Sequence, residues 1–250
     1  MFLKNLLKVS TFVALLIVNN AVAVDNEEVE YLVERYNGRE PKSRGENIFG
    51  VIKAIDSKAV FLTFDFCRTG FDEDLMNFLV KEKIPATLFM TKAWIDNNPI
   101  AAASLAKNPL FIIQNHGTEH KPCFAKLDSV YGIGSTKNVL EIIDEIQSGS
   151  QAIFELTQKK PTFYRSGTAN YDNICINIAN DLGYKIAGFA VNGDGGATYN
   201  AKQVYNAIIK AKPGDIVLLH GNRPKSGTAV GVKNAVIEMK KKNIQFEYIA

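Results

Sequence analysis

From about residue 50 to the end of the chain, short apolar runs alternate with longer segments of helical periodicity. Runs such as AVFLTFD and IVLLH are rich in residues that favour strands and are short enough for buried strands. Strands that alternate with helix-length segments are typical of a mostly parallel sheet or an α/β barrel. The pattern therefore predicts an α/β fold with strands at residues 59–65, 86–90, 110–115, 162–165, 184–189, 215–219 and 245–249.

The segments between these strands carry apolar residues at the spacing of amphipathic helices. They predict helices at residues 72–82, 98–107, 136–156, 173–182, 201–211 and 228–242. Before the first strand, one helical face carries Val29, Leu32, Val33 and Tyr36. A connector that contains Gly, Pro and Ser follows, so we assign residues 24–50 to an N-terminal helix and linker, and 51–250 to the main domain.

The first 23 residues have a different pattern. Lys4 and Lys8 precede an apolar centre at residues 11–18, and Ala-Val-Ala at residues 21–23 stands before an acidic stretch. This is the layout of a secretory signal peptide with a small-x-small cleavage site. The apolar run is short for a membrane span, which needs about 20 residues. We therefore expect a signal peptide at residues 1–23, export to a bacterial periplasm or the medium, and no stable membrane span after cleavage.

Length and charge narrow the class of protein. A chain of 250 residues with 46% hydrophobic and 22% charged residues suits one large globular domain. Cleavage of the signal removes two lysines and no acids, so the formal net charge falls from +3 to +1. A nearly neutral chain without a basic tract has no bulk attraction to nucleic acid, so we expect no nucleic-acid partner.

Ionisable side chains stand where the predicted strands end. In an α/β barrel the carboxyl ends of the strands meet at one rim, where catalytic groups collect. All three histidines of the chain fall at this rim with two acids and an arginine: Asp65, His116, His120, Arg165, Asp194 and His220. Each of these residues alone could have a purely structural role, since strand-end acids often cap turns and single histidines are usually hydrogen-bonded loop or core groups. Their convergence favours a functional site.

Such a set supports metal-assisted hydrolysis. Two neutral imidazoles and a carboxylate make a typical Zn²⁺ site with an open position for water. A separate carboxylate can take the proton of the attacking water, a separate histidine can protonate the leaving group, and an arginine can hold the carboxylate ionised. Serine or cysteine nucleophile schemes fit less well, because the chain has no nucleophile-elbow serine and more histidines than such schemes use.

The motifs LTFDFC, NHGTEH, YRSGTANYD, GDGGA and IVLLH, in this order and spacing, resemble those of the polysaccharide deacetylases. These are the NodB-homology domains of carbohydrate esterase family 4. The resemblance covers about residues 55–250, and the ordered set is specific although each motif is short. It implies a distorted (β/α) barrel and metal-dependent removal of acetyl groups from N-acetylated sugars, and we expect the divalent metal to be zinc.

The resemblance also implies a role for each matching residue. Asp65 of TFD would be the general base, oriented by Arg165, and His116 and His120 of the HxxxH motif would bind the metal. His220 would be the general acid for the departing amine. Asp194, in a motif that matches the family only loosely, would tune His220. The backbone N–H groups around Gly167 and Thr168 would form an oxyanion hole.

One position departs from the family pattern. The first motif of the family usually reads TFDD, and its second Asp is the third protein ligand to the metal; here that position is Phe66. Three arrangements stay open. Asp65 could turn to the metal, Asp72 or the Cys67 thiolate could reach in, or two histidines and waters could hold the metal weakly. Asp72 also fits the N-cap of the following helix. Phe66 could also mean an inactive, carbohydrate-binding relative, but the other ionisable members of the set are all present and favour an active enzyme.

The three cysteines allow one disulfide in an exported protein. Cys67 and Cys123 both lie on the predicted rim, so we expect a bridge between them. The alternative is Cys67 as a soft metal ligand. Cys175, on an apolar helix face, is expected to be a buried thiol.

Together these features predict an exported deacetylase that acts on an N-acetylated sugar of the cell envelope, such as peptidoglycan, a polysaccharide or a glycolipid. Two alternatives remain at this point. One is a hydrolase of another C–N amide bond on the same fold, and the other is a non-catalytic carbohydrate-binding relative.

Overall fold

The computed structural model describes residues 26–250. The predicted signal peptide lies outside the described residues. Eight α-helices are present in the described part: α1 Asn26–Tyr36, α2 Glu73–Lys81, α3 Lys92–Asn97, α4 Pro99–Ala106, α5 Val139–Thr157, α6 Asn173–Asp181, α7 Ala201–Ile208 and α8 Thr228–Lys241. None of the helices in this part of the chain is both long and apolar enough to span a membrane.

Thirteen short strands accompany these helices: β1 Arg44–Gly45, β2 Val51–Ile52, β3 Ala59–Phe66, β4 Ala86–Met90, β5 Phe111–Asn115, β6 Ser129–Val130, β7 Ile133–Gly134, β8 Phe163–Tyr164, β9 Tyr171–Asp172, β10 Lys185–Ala187, β11 Val191–Asn192, β12 Ile216–His220 and β13 Gln245–Glu247. Nine of them form one sheet in the order β11-β12-β3-β4-β5-β8-β10-β2, with β13 beside β3. Every strand pair in this sheet is parallel.

The sheet curls into a distorted (β/α) barrel, as the sequence pattern predicts. A backbone hydrogen bond from Ile216 N to Lys53 O joins β12, near one end of the strand order, to the segment that follows β2 at the other end. Because the strands are parallel, their carboxyl ends share one rim. Asp65, His116, Arg165 and His220 lie at that rim, at or directly after the ends of β3, β5, β8 and β12.

The central strand β3 shows how the sequence divides between the two faces of the sheet. Successive side chains of a strand point to opposite faces. Leu62, Phe64 and Phe66 join the large apolar cluster between the sheet and its helices. Phe61 joins a smaller apolar cluster with Phe89, Phe163 and Ile216. Thr63 and Asp65 alternate with the first set, and Thr63 and Asp65 both bond to Arg165 inside the barrel.

The N-terminal helix packs onto the barrel rather than standing apart. Leu32 and Tyr36 of α1 are buried in an apolar cluster with residues of α5 and α6. The Tyr36 hydroxyl donates a hydrogen bond to Asp181 at 2.7 Å. The predicted amphipathic face of this segment is therefore the face that makes the contact.

The predicted elements differ from the observed ones mainly in the loops. Helix α3 begins at an N-cap, Thr91, whose hydroxyl accepts from the Trp94 N–H, and the sequence pattern did not predict this helix. The strand predicted at 162–165 has only two paired residues, and the β6–β7 hairpin within the loop after His120 was also missed. Short elements of this kind depend on caps and turns rather than on a long apolar period.

A disulfide joins Cys123 to Cys175, so the predicted bridge between Cys67 and Cys123 is wrong. Cys67 is a free, buried thiol, and Cys175 is buried but bonded. The reason is local. Cys123 pairs with Tyr171 at an isolated bridge, and Asp172 caps the N-terminus of α6 by accepting from Cys175 N, which brings the two sulfur atoms together.

Candidate active site

Asp65 and Arg165 form a buried ion pair at the centre of the rim. The Arg165 Nη1 atom donates to Asp65 Oδ1 at 2.8 Å, and the two side chains are 0% and 5% exposed. The guanidinium also donates to the Thr63 hydroxyl and to the carbonyl oxygens of Ala187 and Gly188. Burial alone would raise the pKa of Asp65, but the charge and hydrogen bond of Arg165 hold it below its usual value. Asp65 is therefore ionised near neutral pH.

His116 presents an unprotonated nitrogen to this pair. Its Nδ1 lies 2.8 Å from the carbonyl oxygen of Arg165. That oxygen can only accept, so Nδ1 carries the proton and the neutral ring has its lone pair on Nε2. Nε2 is 3.5 Å from Asp65 Oδ2, is buried, and has no hydrogen-bond partner among the described residues. Burial lowers the pKa of His116, which favours this neutral form.

Cys67 and His120 complete a cluster of three donor groups with His116. One ligand atom from each of the three residues lies within 4.8 Å of the others. Cys67 and His116 are buried, and His120 is half-buried. Burial would raise the pKa of the Cys67 thiol, but the charge and hydrogen bond of His120, with the hydrogen bond of His220, lower it to about 6.

These donor groups fit a divalent metal of the zinc type. Neutral imidazole nitrogens and a thiolate are the ligands that such metals take in proteins. A buried imidazole nitrogen with no partner is costly in an empty site, and a metal would satisfy it. Asp72, another third ligand that the sequence left open, caps α2, because its Oδ1 accepts from Leu75 N.

His220, on β12, lies directly beside Asp65 of the neighbouring strand β3 and is held by Asp194. The His220 Nδ1 atom lies 2.9 Å from Asp194 Oδ1, and the His220 backbone N–H donates to Asp194 Oδ2 at 2.8 Å. Burial would lower the pKa of His220, but the hydrogen bond and charge of Asp194 raise it well above its usual value. Thr228, at the start of α8, donates to the same carboxylate. The sequence did not indicate Thr228, whose only signal is its place at a helix start.

Glu145 is a second residue that the sequence analysis missed. It lies on the buried face of α5, where its carboxylate accepts from the backbone N–H groups of Glu119 and Lys121, both at 3.0 Å. Those two residues flank His120, which has a left-handed backbone with φ of 62°. Burial raises the pKa of Glu145 to about 7. An acid among the isoleucines of an apolar helix face was the available signal.

Gly167 packs against the same loop. A Cβ atom at Gly167 would lie 2.1 Å from the carbonyl oxygen of His120, so only glycine fits. The Gly167 N–H donates to the Lys121 carbonyl, which corrects its predicted place in an oxyanion hole. Thr168 does line the cavity, with a left-handed φ of 66°. Of the two residues predicted to form an oxyanion hole, only Thr168 therefore remains a candidate.

A cavity of about 520 Å³ opens above these groups. Asp65, Cys67, His120 and His220 lie in its wall, and Glu46, Tyr131 and Arg223 stand around it. Its size is within the range of small-molecule sites. The rim residues that the sequence predicted are therefore brought together at one cavity: Asp65, His120 and His220 line it, and the buried His116, Arg165 and Asp194 lie behind its wall.

A family model described as polysaccharide deacetylase matches residues 53–187, more than half of the chain. The chain belongs to the polysaccharide deacetylase family. The matched segment contains β3, β5 and β8, and with them Asp65, both histidines of the HxxxH motif and Arg165. No curated protein sequence matches the chain.

Solved structures of the family have the same fold. A carbohydrate esterase family 4 pseudoenzyme from Bacillus anthracis is 21% identical, with a TM-score of 0.65 over 78% of this chain and 64% of that one. This polysaccharide deacetylase family member therefore spans less than two thirds of the pseudoenzyme. A peptidoglycan N-acetylglucosamine deacetylase is 19% identical, with a TM-score of 0.68 over 80% and 90% of the two chains. PdaA of Bacillus subtilis, a family 4 carbohydrate esterase, is 22% identical, with a TM-score of 0.65 over 88% and 86%.

Proposed function

We propose that this protein is an exported, metal-dependent hydrolase that removes N-acetyl groups from a sugar of the cell envelope. The observation that carries the proposal is the arrangement around the cavity. An ionised Asp65, an unpartnered His116 nitrogen and a His220 ring held by Asp194 stand at one rim. One of the family members of similar fold is a peptidoglycan N-acetylglucosamine deacetylase, which supports an N-acetylated glycan as substrate. The signal-like pattern of residues 1–23 supports export.

Two neighbouring side chains, Asp65 and His220, carry the proton transfers. Asp65 accepts a proton from the water whose oxygen attacks the acetyl carbonyl carbon, and Arg165 keeps that carboxylate ionised and fixed. His220 donates a proton to the sugar nitrogen as the C–N bond breaks, and Asp194 keeps the ring oriented for this transfer. The products are acetate and a free amine on the sugar.

His116 and His120 would hold the metal at the Asp65 side of the cavity. A divalent metal bound there supplies Lewis acidity to the carbonyl and makes a water molecule more acidic. The Nδ1–H of His116 is fixed by the Arg165 carbonyl, so the same arginine orients both the base and a metal-binding ring.

A non-catalytic carbohydrate-binding role is the second candidate. It is favoured by Phe66, which stands where the family usually has a metal-binding Asp, and by the pseudoenzyme of similar fold. The His220–Asp194 pair argues against it, since a ring held for proton donation serves a reaction, whereas the buried Asp65–Arg165 pair would serve the fold in either case. A hydrolase of another amide on the same fold differs from the main proposal only in substrate.

Acetate release separates these three functions. Purified mature protein is incubated with peptidoglycan, chitooligosaccharides and an envelope lipid fraction, with and without a chelator. We expect acetate from at least one substrate and its loss with chelator. Full metal loading without acetate from any of them would contradict the proposed activity.

Two variants separate metal binding from proton transfer. His220→Ala should lose activity by about 10²-fold or more and keep its metal, because His220 acts as an acid. His116→Ala should lose both. Unchanged metal content in His116→Ala would show that the ligand assignment is wrong.

A further inference from the structure

We infer that the thiolate of Cys67 is the third protein ligand of the metal, so that the site is a Cys-His-His site. The inference rests on the proposed metal-dependent function and names the group that replaces the missing carboxylate. It goes beyond the family pattern, in which an Asp at the position of Phe66 would be the third ligand.

The pleat of β3 explains why Cys67, and not Phe66, meets the histidines. Phe66 is paired with Met90 in the sheet and points into the apolar layer beneath the helices. Cys67 is two residues after Asp65, so the strand alternation carries its side chain to the face of Asp65. The free thiol of Cys67 is 6% exposed and lines the same cavity as Asp65 and His120.

The spacing of the donor atoms suits one metal ion. The sulfur of Cys67 and one nitrogen each of His116 and His120 lie within 4.8 Å of one another. In a tetrahedral zinc site, bond lengths place sulfur and nitrogen ligands about 3.5 Å apart. Small side-chain rotations are therefore enough to close the three groups around an ion.

His116 gives an independent sign of a ligand at this point. Its ring is 0% exposed, and its Nε2 lone pair has no hydrogen-bond partner among the described residues. Buried acceptors normally have a partner, so this one indicates a ligand that accepts its lone pair. A thiolate sulfur and this lone pair are both electron-pair donors, and one cation between them would accept both.

A thiolate nucleophile is the other use that this geometry allows. Cys67 is a hydrogen-bonding neighbour of His220, which pairs with Asp194, so the three residues have the order of a Cys-His-Asp triad. That use would leave the His116 lone pair and His120 without a role. Metal ligation accounts for all three donors, and we therefore favour it.

A thiolate ligand also predicts which metals the site takes. Sulfur favours zinc and cobalt over magnesium, calcium and manganese, which prefer oxygen ligands. The site should then hold zinc against a large excess of magnesium or manganese. Cys67→Asp should reduce that preference.

Cobalt spectroscopy of the protein with its native disulfide tests the inference. Apo-protein, with the Cys123–Cys175 disulfide intact, is titrated with Co²⁺ and followed for the near-ultraviolet charge-transfer band of a thiolate–cobalt bond. Cys67 is the free cysteine of the chain, so any such band reports on Cys67 alone. We expect the band in the wild type, its loss in Cys67→Asp with cobalt still bound, and at least tenfold weaker binding in Cys67→Ala.

Three results would overturn the inference. They are cobalt bound without the charge-transfer band, no metal bound at all, or an acetylated Cys67 trapped by mass spectrometry during turnover. Absence of any bound metal would also contradict the proposed function, but the other two results concern Cys67 alone. Acetate release by a metal-loaded protein that lacks the band would leave the function standing, whereas the band without acetate release would leave the ligand set standing.

Discussion

Phe66 lies directly against Gly221, where a Cβ atom would come within 2.2 Å of the Phe66 ring. On another side the ring meets Trp94, with centroids 4.5 Å apart. Phe66 is fully buried, so this position belongs to the apolar layer that lets β12 and its loop close over β3. The aromatic residue is thus a packing element of this fold, and its side chain lies in the apolar layer, whereas Asp65 lines the cavity.

We predict that Phe66→Asp does not supply the missing ligand. The carboxylate would be buried without a partner in a space shaped for a ring, so the free energy of unfolding should fall by about 4 kcal/mol or more. Denaturant unfolding followed by fluorescence or circular dichroism measures this change.

Phe66→Leu is the matched control, because it keeps an apolar side chain and should cost only about 1–2 kcal/mol. A Phe66→Asp protein that is as stable as the wild type and binds zinc more tightly would show that this side chain can turn to the metal.

Arg165→Ala should destabilise the fold as well as stop the reaction. It leaves the carboxylate of Asp65 buried and removes four hydrogen bonds of the guanidinium, to Asp65, Thr63, Ala187 and Gly188. Breaking a buried ion pair from one side costs about 3–5 kcal/mol. Denaturant unfolding measures the loss.

The exposed pair of Lys126 and Glu40, with side chains 61% and 72% exposed, provides the comparison. Lys126→Ala should change the free energy of unfolding by less than about 1 kcal/mol. Equal effects of the two variants would mean that the Asp65–Arg165 pair is far less important to the fold than its burial implies.

The sequence predicted the barrel and its rim because both depend on the regular spacing of apolar residues in strands and helices. The alternation of β3 places apolar residues on one face, and Asp65 follows from its position at the strand end. The same alternation would have placed Cys67 beside Asp65 and Phe66 on the opposite face. The motif comparison instead drew attention to position 66, where the family usually has an Asp.

The disulfide and the support of His120 could not be predicted in this way. Cys123 lies next to Cys175 because a β-bridge between Cys123 and Tyr171 and the helix cap at Asp172 bring two loops together. The spacing of apolar residues along the sequence does not indicate such a contact. Glu145 accepts a hydrogen bond from Lys121 in the His120 loop, 24 residues earlier in the chain, because α5 packs against that loop. Contacts of this kind arise from the tertiary arrangement of loops, whereas sequence patterns report on regular elements.

Removing the Cys123–Cys175 bridge should lower stability while leaving the metal site chemically intact. A disulfide between residues 52 apart is worth about 2–5 kcal/mol, chiefly by restricting the unfolded chain. The double variant Cys123→Ala/Cys175→Ala should show this loss in denaturant unfolding and still give the thiolate–cobalt band. In the wild type, peptide mapping without reductant should find the 123–175 bridge and one free thiol at Cys67. A 67–123 peptide would contradict the structure.

Glu145 should make the stability of the protein depend on pH. Its folded pKa of about 7 lies above its ordinary value, so its neutral form is favoured on folding. The stability that it contributes is complete below about pH 4.5 and is lost as the pH rises through about 7. From pH 5 to 8 this amounts to about 2 kcal/mol, which Glu145→Gln should remove from the pH profile of the free energy of unfolding.

Two further variants separate the charge of Glu145 from its hydrogen bonds. Both the Glu119 and the Lys121 N–H groups reach the single oxygen Oε1, so glutamine can keep both bonds with its one carbonyl oxygen. Glu145→Ala loses them, and we expect it to loosen the His120 loop and weaken zinc binding by about tenfold, as for other outer supports of metal ligands. Glu34→Gln, on the exposed face of α1, should alter neither property. If Glu145→Ala binds zinc as tightly as Glu145→Gln, the carboxylate does not position His120 and serves only the packing of α5.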